Sequence, residues 1–356
     1  MTSGKSNNQL TKLAGYLFPV ILTILFLFFA FKGIDLAESF SLIAKSSLWA
    51  VFLYIIVFFA SHLARALRWR YFVNSVKKDV STFNLFGSVM ISYGVSCIIP
   101  RLGEVYRGLF FGKWENISRT TAIGTVVVER IIDIIVFVLA ALLSVAVYSG
   151  NLMEEVSWLK ASLITGYILI AAAVLMLFIF LKFKNRFKIA FLKLAGKLSP
   201  KIQSRLESIF DTLISGLSSI KGTKNIIMII IWSVLILSLY ALNAYVGFYI
   251  FGMESSGRIT FAMAWIVMTI SSFSAMIPTP GGTGPYHFIS IFALTQLYNF
   301  GYEVAAAYAL LTHFISYIMF VLSTLLIIYF SNRNRVKNGL TKETFLSVFK
   351  INPEDQ

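Results

Sequence analysis

Three charges lie within seven residues of one another in an otherwise apolar part of the sequence. The stretch reads Pro100-Arg101-Leu102-Gly103-Glu104-Val105-Tyr106-Arg107, and apolar residues flank it on both sides. Arginine holds a phosphate through paired N–H donors, and a helix that starts after Pro100 adds the positive end of its dipole. The stretch therefore predicts an anion-binding turn, in which Glu104 orients an arginine or relays a proton. The alternative is an ordinary loop with solvated charges.

A second group of charges lies within the apolar run 120–147. If the run is helical, Glu129 is about 14 Å from Thr120, because each residue adds about 1.5 Å. Glu129 and Asp133 share a helix face, and Arg130 can reach Asp133 from the preceding turn. Ionisable groups at that depth in a membrane are costly and mark a site or a pathway. A structural ion-pair network is the alternative, and both roles can hold at once.

A third candidate is the glycine- and proline-rich turn at residues 277–284. Its prolines stop the incoming helix, and its glycines allow backbone N–H groups to surround an anion. A tight structural turn is the alternative, and the nearby histidines could equally be packing residues or take part in proton or substrate handling. The candidate substrate-binding residues of this region are Pro280, Gly281, Gly282, Gly284, Tyr286, His287 and His313.

The composition decides what kind of protein must position these residues. Hydrophobic residues make up 58% of the 356 residues and charged residues 13%, whereas soluble proteins have about 45–50% and about 25%. The long continuous apolar runs exclude a disordered chain and the alternating pattern of a β-barrel. The single cysteine, Cys97, excludes an intramolecular disulfide and a cysteine-rich metal site. The fold class is therefore an all-α polytopic membrane protein.

The apolar runs predict about six full spans, because a span needs about 20 residues. Basic residues cluster after the second run, in 182–224 and after residue 330, which places those stretches and both termini in the cytoplasm. Residues 83–113 and 260–299 then begin and end on one side, which predicts two re-entrant hairpins of opposite orientation. The predicted full spans lie at 15–31, 48–69, 120–147, 162–181, 225–251 and 303–330.

Three arginines at the end of the second run, Arg65, Arg68 and Arg70, are expected to be a positive-inside anchor. Contact with anionic lipid headgroups is the alternative. The net charge of +15 thus serves orientation, and nucleic-acid binding is not expected.

The two halves of the chain have the same order of spans in opposite orientations. Pro100 and Tyr106 correspond to Pro280 and Tyr286 at one constant offset, so an inverted repeat is predicted. Such repeats, with broken helices that meet at the bilayer midplane, are typical of secondary transporters. The predicted segments are a cytoplasmic N-terminus at 1–14, a first membrane repeat at 15–147, a linking loop and span at 148–181, a cytoplasmic amphipathic linker at 182–224, a second membrane half at 225–330 and a cytoplasmic tail at 331–356.

The same residues resemble the lysylphosphatidylglycerol synthase transmembrane, or flippase-like, family. The resemblance covers most of the chain and implies a flippase of membrane lipids or a related translocator of lipid-linked headgroups. The family often has glutamate shortly after the glycine-rich turn, where this chain has His287. Neither the soluble synthase domain nor the synthase activity is expected. The matching motifs are Arg68-Trp69, Pro100-Arg101-Leu102-Gly103-Glu104 with Arg107, Glu129-Arg130 with Asp133, and Pro278-Thr279-Pro280-Gly281-Gly282-Thr283-Gly284.

The expected function is translocation of an anionic phospholipid, an aminoacyl-lipid or a polyprenyl-phosphate-linked headgroup through a central polar cavity. The expected partners are membrane lipids and, as an open alternative, a second copy of the chain. Catalytic residues, metal ligands and a cofactor are not expected, and the expected location is the inner membrane. An integral-membrane transferase of cell-envelope lipid synthesis and an accessory subunit of such an enzyme are the two alternative functions.

Overall fold

The computed structural model describes residues 3–74, 76–148, 222–256 and 259–349, together with residues 189, 203 and 207. The predicted linking segment 148–181 and the amphipathic linker 182–224 lie almost entirely outside these residues. Helices are numbered in chain order through the described part. They are α1 (Ser3–Phe31), α2 (Leu36–Ala44), α3 (Leu48–Val73), α4 (Thr82–Ile98), α5 (Gly103–Glu115), α6 (Arg119–Val147), α7 (Thr223–Ile250), α8 (Phe261–Ser272), α9 (Pro285–Phe292) and α10 (Tyr302–Lys337).

Four of these helices, α3, α6, α7 and α10, are long and apolar enough to cross a membrane. They coincide with four of the six predicted full spans. The chain from Leu17 to Ala44 is a fifth candidate, in which α1 and α2 meet at an angle of 87°. Asp35 explains where α2 begins, because its carboxylate accepts the backbone N–H groups of Ala37 and Glu38. The remaining predicted span, 162–181, lies outside the described residues.

The chain divides into two compact units, which are described separately. Unit one comprises Met1–Leu63, Phe86–Arg107 and Ile236–Ile351. Unit two comprises Ala64–Leu85, Gly108–Leu235 and Asn352–Gln356. The candidate residues of the two helix breaks fall in unit one, and the candidate charges of α3 and α6 fall in unit two.

Unit one contains two pairs of helices, and in each pair an irregular turn joins the helices close to where the sequence predicts a turn. After α4 ends at Ile98, α5 begins at Gly103 and packs on α4 so closely that a side-chain carbon on Gly103 would overlap the carbonyl oxygen of Ser92. After α8, the chain turns through residues 273–284 and returns as α9, where the Ser290 hydroxyl donates to the Ser271 hydroxyl at 2.8 Å. Each pair of helices is therefore a hairpin with an irregular tip.

The two hairpins of unit one pack on different parts of α10. The arms of the α8–α9 hairpin share a core with Ala305 and Tyr308, near the start of α10, through side chains such as Met263 and Ile291. In the α4–α5 hairpin, the carbonyl of Met90 accepts the hydroxyl of Thr324 at 3.0 Å, in the later part of α10. The tips of the hairpins therefore approach the middle of α10 from its two ends.

Substitution of Gly103 tests the close packing of α5 on α4. We expect Gly103→Ala to lower the free energy of unfolding by about 1–3 kcal/mol, because the added methyl group overpacks a buried contact. The measurement is denaturant unfolding of the purified protein in detergent. Gly301→Ala is the matched control, since its added carbon would meet nothing nearer than 3.8 Å, and we expect a change within about 0.5 kcal/mol. Equal effects of the two substitutions would contradict the packing described above.

Candidate functional site

A buried cluster of charges joins α3 to α6 in unit two. Arg65 and Arg68 lie three residues apart on α3, and Glu129 and Asp133 lie four residues apart on α6. Both spacings place the two side chains on one face of their helix. Two cationic groups on one helix therefore face two carboxylates on the other.

The four charges are close enough for direct ion pairs. Arg68 Nη2 is 2.8 Å from Glu129 Oε1, and Arg65 Nε is 3.4 Å from the same oxygen. Both arginines also donate to the carboxylate of Asp133. The side chains of Arg68 and Glu129 are 1% and 0% exposed, so this cluster lies within the protein. A buried ion pair of this kind is stable only with several good hydrogen bonds, which the shared geometry supplies.

Two further side chains complete the surroundings of the cluster. Arg68 Nη1 donates to the Ser233 hydroxyl of α7 at 3.1 Å. Arg130 Nη1 donates to Asp133 Oδ2 at 3.2 Å, which is the pair that the spacing on α6 predicts. The side chain of Arg130 is 28% exposed, so it alone of the three arginines keeps substantial access to the surroundings of the protein.

The structure places Arg65 and Arg68 differently from the anchor that their sequence position suggests. Both side chains are buried against α6, where the carboxylates of that helix accept charge-assisted hydrogen bonds from them. The neighbouring Trp69 is buried as well, and its indole N–H donates to the Thr125 hydroxyl at 3.1 Å. Arg70 points away from the cluster and donates to the Thr82 hydroxyl.

In unit one, the tips of the two hairpins meet. Arg101, in the first tip, donates from Nη2 to the carbonyl oxygen of Met276 in the second tip, at 3.2 Å. Arg101 has a φ of 65°, a left-handed conformation that is uncommon for a residue with a side chain. Its side chain is exposed. We call residues 99–102 and 276–284, together with His313 and Tyr317 of α10, the break junction.

Side chains of α10 hold both tips at the break junction. The Tyr317 hydroxyl donates to the carbonyl of Cys97 at 2.8 Å, at the end of α4. One turn earlier, His313 Nε2 donates to the carbonyl of Gly281 at 3.0 Å, in the second tip. Helix ends leave carbonyl groups without helical partners, so these two side chains satisfy backbone groups that the breaks expose.

The glycines of the second tip allow very close approach. Gly281 has a φ of 58°, and a side-chain carbon there would lie 2.9 Å from Tyr317 Cε2 and 3.4 Å from the Cα of Cys97. Gly284 has a φ of 93°, and a side-chain carbon there would lie 2.8 Å from the carbonyl oxygen of Thr23 in α1. Both positions therefore require glycine for conformation and for space.

The two histidines lie side by side under the glycine-rich turn. Their ring centroids are 4.7 Å apart. His287 Nδ1 accepts the backbone N–H of Gly284 at 3.3 Å, while His313 donates to Gly281. Tyr286 shares a hydrogen bond of 3.1 Å with the Thr312 hydroxyl of α10. These residues therefore fix the shape of the turn as well as lining it.

The structure brings together most, but not all, of the predicted site residues within each unit. Arg107 is fully buried in α5, and Glu104 is half-buried in the first turn of that helix. Pro280 and Gly282 form a short turn at the second tip. The sequence did not single out Tyr317, although its spacing of four residues from His313 places both on one face of α10. Among the described residues, no three His, Cys, Asp or Glu side chains are grouped to hold a metal ion.

Comparisons with known proteins give the family. The model of the lysylphosphatidylglycerol synthase transmembrane region matches residues 16–323. The chain belongs to this family. It is therefore a multi-pass membrane protein tied to lipid handling.

Two curated proteins of Methanocaldococcus jannaschii are similar to this family member. The UPF0104 membrane protein MJ1078 is 26% identical over 248 residues, which cover 68% of this chain and 96% of that protein. The UPF0104 membrane protein MJ1595 is 28% identical over 125 residues, which cover 33% of this chain and 37% of that protein. No solved structure matches the chain.

The buried charges of this family member can be tested by removing one arginine at a time. We expect Arg68→Met to lower the free energy of unfolding by about 3–5 kcal/mol, because the fully buried Glu129 loses its nearest cationic partner and Asp133 loses one of its own. Arg130→Met removes a partner of the same Asp133 from a position that is 28% exposed, so we expect a loss of about 1 kcal/mol or less. Denaturant unfolding in detergent measures both. If the two variants are equally stable, the buried cluster does not hold α3 against α6.

The contact between His313 and the glycine-rich turn gives a second test in this family member. We expect His313→Leu to lower the free energy of unfolding by about 1–3 kcal/mol, because the Gly281 carbonyl loses its donor. His313→Gln keeps an N–H donor of similar reach and should recover most of that loss. The same unfolding measurement compares the two variants, and a glutamine variant as unstable as the leucine variant would show that packing, not hydrogen bonding, matters there.

Proposed function

We propose that this protein moves an anionic lipid headgroup across the membrane along the break junction. The observation that carries the proposal is the meeting of two broken helical hairpins beside the middle of α10, with Arg101 bonded to the opposite tip at 3.2 Å. Irregular backbone inside a bilayer is tolerated only where it is buried in protein or lines a watery cavity. Two such breaks at one place therefore favour a path for a polar group.

The position of the breaks along α10 supports this proposal. His313 and Tyr317 lie about 17 Å and 22 Å along the axis from the start of α10, at about 1.5 Å per residue. The hydrocarbon layer of a bilayer is about 30 Å thick. If α10 spans that layer, both tips lie well inside it. The α8–α9 hairpin then enters from one side and the α4–α5 hairpin from the other, which is the arrangement that the sequence predicts for an inverted repeat.

Arg101 is the residue to which we assign the lipid phosphate. Its guanidinium is exposed, and its one bond to Met276 leaves further N–H donors in a fork that suits phosphate oxygens. Next to it, the broken ends of the second hairpin supply polar backbone groups around Gly281 and Gly282. The acyl chains would remain in the bilayer while the headgroup passes.

The buried charges of unit two have a different role in the proposal. Arg68 and Glu129 are almost fully buried and pair with each other, so we assign them to holding α3 and α6 together. Arg130 is the member of that cluster with room for a headgroup, because its side chain is 28% exposed.

The proposed substrates are an anionic phospholipid, an aminoacyl-lipid or a polyprenyl-phosphate-linked headgroup. The proposed location is the inner membrane with both termini in the cytoplasm, as the distribution of basic residues predicts. The protein would act as a translocator and not as an enzyme, so it would leave the covalent structure of the lipid unchanged.

Reconstitution tests this function directly. Vesicles that contain the protein and fluorescent phosphatidylglycerol are treated with dithionite, which quenches only the outer leaflet, and the initial rate of lipid movement is recorded. We expect Arg101→Gln to lower that rate about tenfold, because a hydrogen bond to a charged group contributes about 1.5–3 kcal/mol. Arg101→Lys keeps the charge and should recover part of the rate.

Arg333→Gln is the matched control, since it removes the same charge from an exposed position near the end of α10. Its rate should equal that of the unaltered protein. Mass spectrometry of the recovered lipids separates transport from synthesis. A chemically altered lipid without movement between leaflets would favour the transferase instead, and an Arg101→Gln variant with the full rate would rule out the assigned phosphate contact.

A further inference from the structure

An apolar cavity of about 240 Å³ lies beside the first helix break in unit one. The last turns of α4, one residue of α5, one face of α10 and the segment after α10 form its walls. The volume is below the roughly 300–1,000 Å³ of pockets that hold whole small molecules, so it suits part of one hydrocarbon chain. The residues that matter below are Gly94, Ile98, Tyr106, Thr324, Leu325 and Phe345.

The walls of this cavity offer very little to a polar ligand. Thr324 is the hydroxyl-bearing residue of the α10 wall, and its hydroxyl already donates to the Met90 carbonyl at 3.0 Å. Gly94 lies against Thr324 so closely that a side-chain carbon there would overlap it, which keeps this wall narrow and smooth. Because a polar group without hydrogen bonds is costly in such surroundings, the walls select an apolar occupant.

The outer rim of the cavity consists of exposed apolar side chains. Ile98 is 70% exposed and Leu325 is 56% exposed, as expected for side chains that face lipid in a membrane protein. Arg101 follows Ile98 by three residues and carries an exposed guanidinium. An apolar cavity with a positive charge near its rim matches a lipid that joins a hydrocarbon chain to a phosphate.

We infer that this cavity holds one hydrocarbon chain of an anionic phospholipid whose phosphate lies at Arg101. The inference rests on the proposed function and adds to it a second contact with the lipid. The chain contact holds the lipid at the first break while the headgroup enters the break junction. The phosphate contact alone would not distinguish a lipid from a free phosphate, whereas the cavity requires the chain.

The segment after α10 forms part of the cavity wall through Phe345. The ring of Phe345 lies 5.6 Å from the ring of Tyr106, centroid to centroid, and both residues line the cavity. Glu343 fixes this segment on α10: its backbone N–H donates to Asn332 Oδ1 at 2.8 Å, and its carboxylate pairs with Arg335 at 3.0 Å. Phe345 is therefore held in place as part of the cavity wall.

Photolabelling tests the inference without depending on transport. The probe is phosphatidylglycerol with a diazirine in one acyl chain, incorporated into vesicles with the full-length protein, and the labelled peptides are identified by mass spectrometry. We expect labels on the peptides that contain residues 94–99, 321–325 and 345. Leu325→Trp fills the cavity and should lower this labelling about tenfold, the loss expected when roughly two methylene groups leave apolar surroundings.

Leu326→Trp is the matched control. Leu326 is the next residue of α10, is 54% exposed and does not line the cavity, so the same substitution there should leave the labelling unchanged. Size-exclusion chromatography of both variants checks that they fold. Phe345→Ala removes a ring from the cavity wall, and we expect it to change which diazirine position along the acyl chain gives the strongest label.

Each further outcome decides between the inference and the proposed function. Lipid movement with no labelling of the cavity, or equal effects of Leu325→Trp and Leu326→Trp, overturns the inference and leaves the proposed function in place. Equal labelling by a neutral diacylglycerol with the same diazirine chain overturns the assignment of the phosphate to Arg101. Labelling that Leu325→Trp abolishes, in a protein that moves no lipid, supports the cavity as a chain site and overturns translocation.

Discussion

Unit one depends on one constraint: a helix that stops inside an apolar protein leaves carbonyl groups that must find donors. Cys97, Met276 and Gly281 present such carbonyls at the two tips, and the donors are Tyr317, Arg101 and His313. Since an unsatisfied buried carbonyl costs about as much as a lost hydrogen bond, the contacts of Tyr317 and His313 fix where the tips can lie, and the exposed bond from Arg101 joins one tip to the other. The close approach of Gly281 to α10, the glycine conformations and the exposed position of Arg101 all follow from that requirement.

In unit two the buried polar groups that need partners are charged side chains, not backbone carbonyls. Two arginines of α3 and two carboxylates of α6 would each be very unfavourable alone in an apolar interior, and together they provide one another's partners. Arginine suits this arrangement because its planar group donates in several directions at once. Arg68 uses that property to reach Glu129, Asp133 and Ser233 from one position.

The sequence predicts those features of the fold that depend on local pattern. Continuous apolar runs give α3, α6, α7 and α10, and proline with glycine gives both helix breaks, because each signal lies within a few consecutive residues. The pair Arg130 and Asp133 was predictable for the same reason. The bend of 87° between α1 and α2 was not predicted, since it lies between residues 31 and 36, beyond the apolar run 15–31 that defined the predicted span.

Contacts between distant residues account for what the sequence missed at the candidate site. Arg65 and Arg68 pair with residues of α6 that are more than sixty positions away, and charge spacing along one helix says nothing about such a partner. Likewise, no pattern marks Tyr317 as the donor to Cys97. Composition and spacing could propose Arg101, His287 and His313 as candidates, but not that two of them bond the backbone of the glycine-rich turn itself.

Both tips are tied to a single turn of α10, through His313 and Tyr317. Rotation of α10 about its own axis would consequently displace both tips together while these two bonds remain. The structure thus connects the two tips through neighbouring residues of one helix, four positions apart.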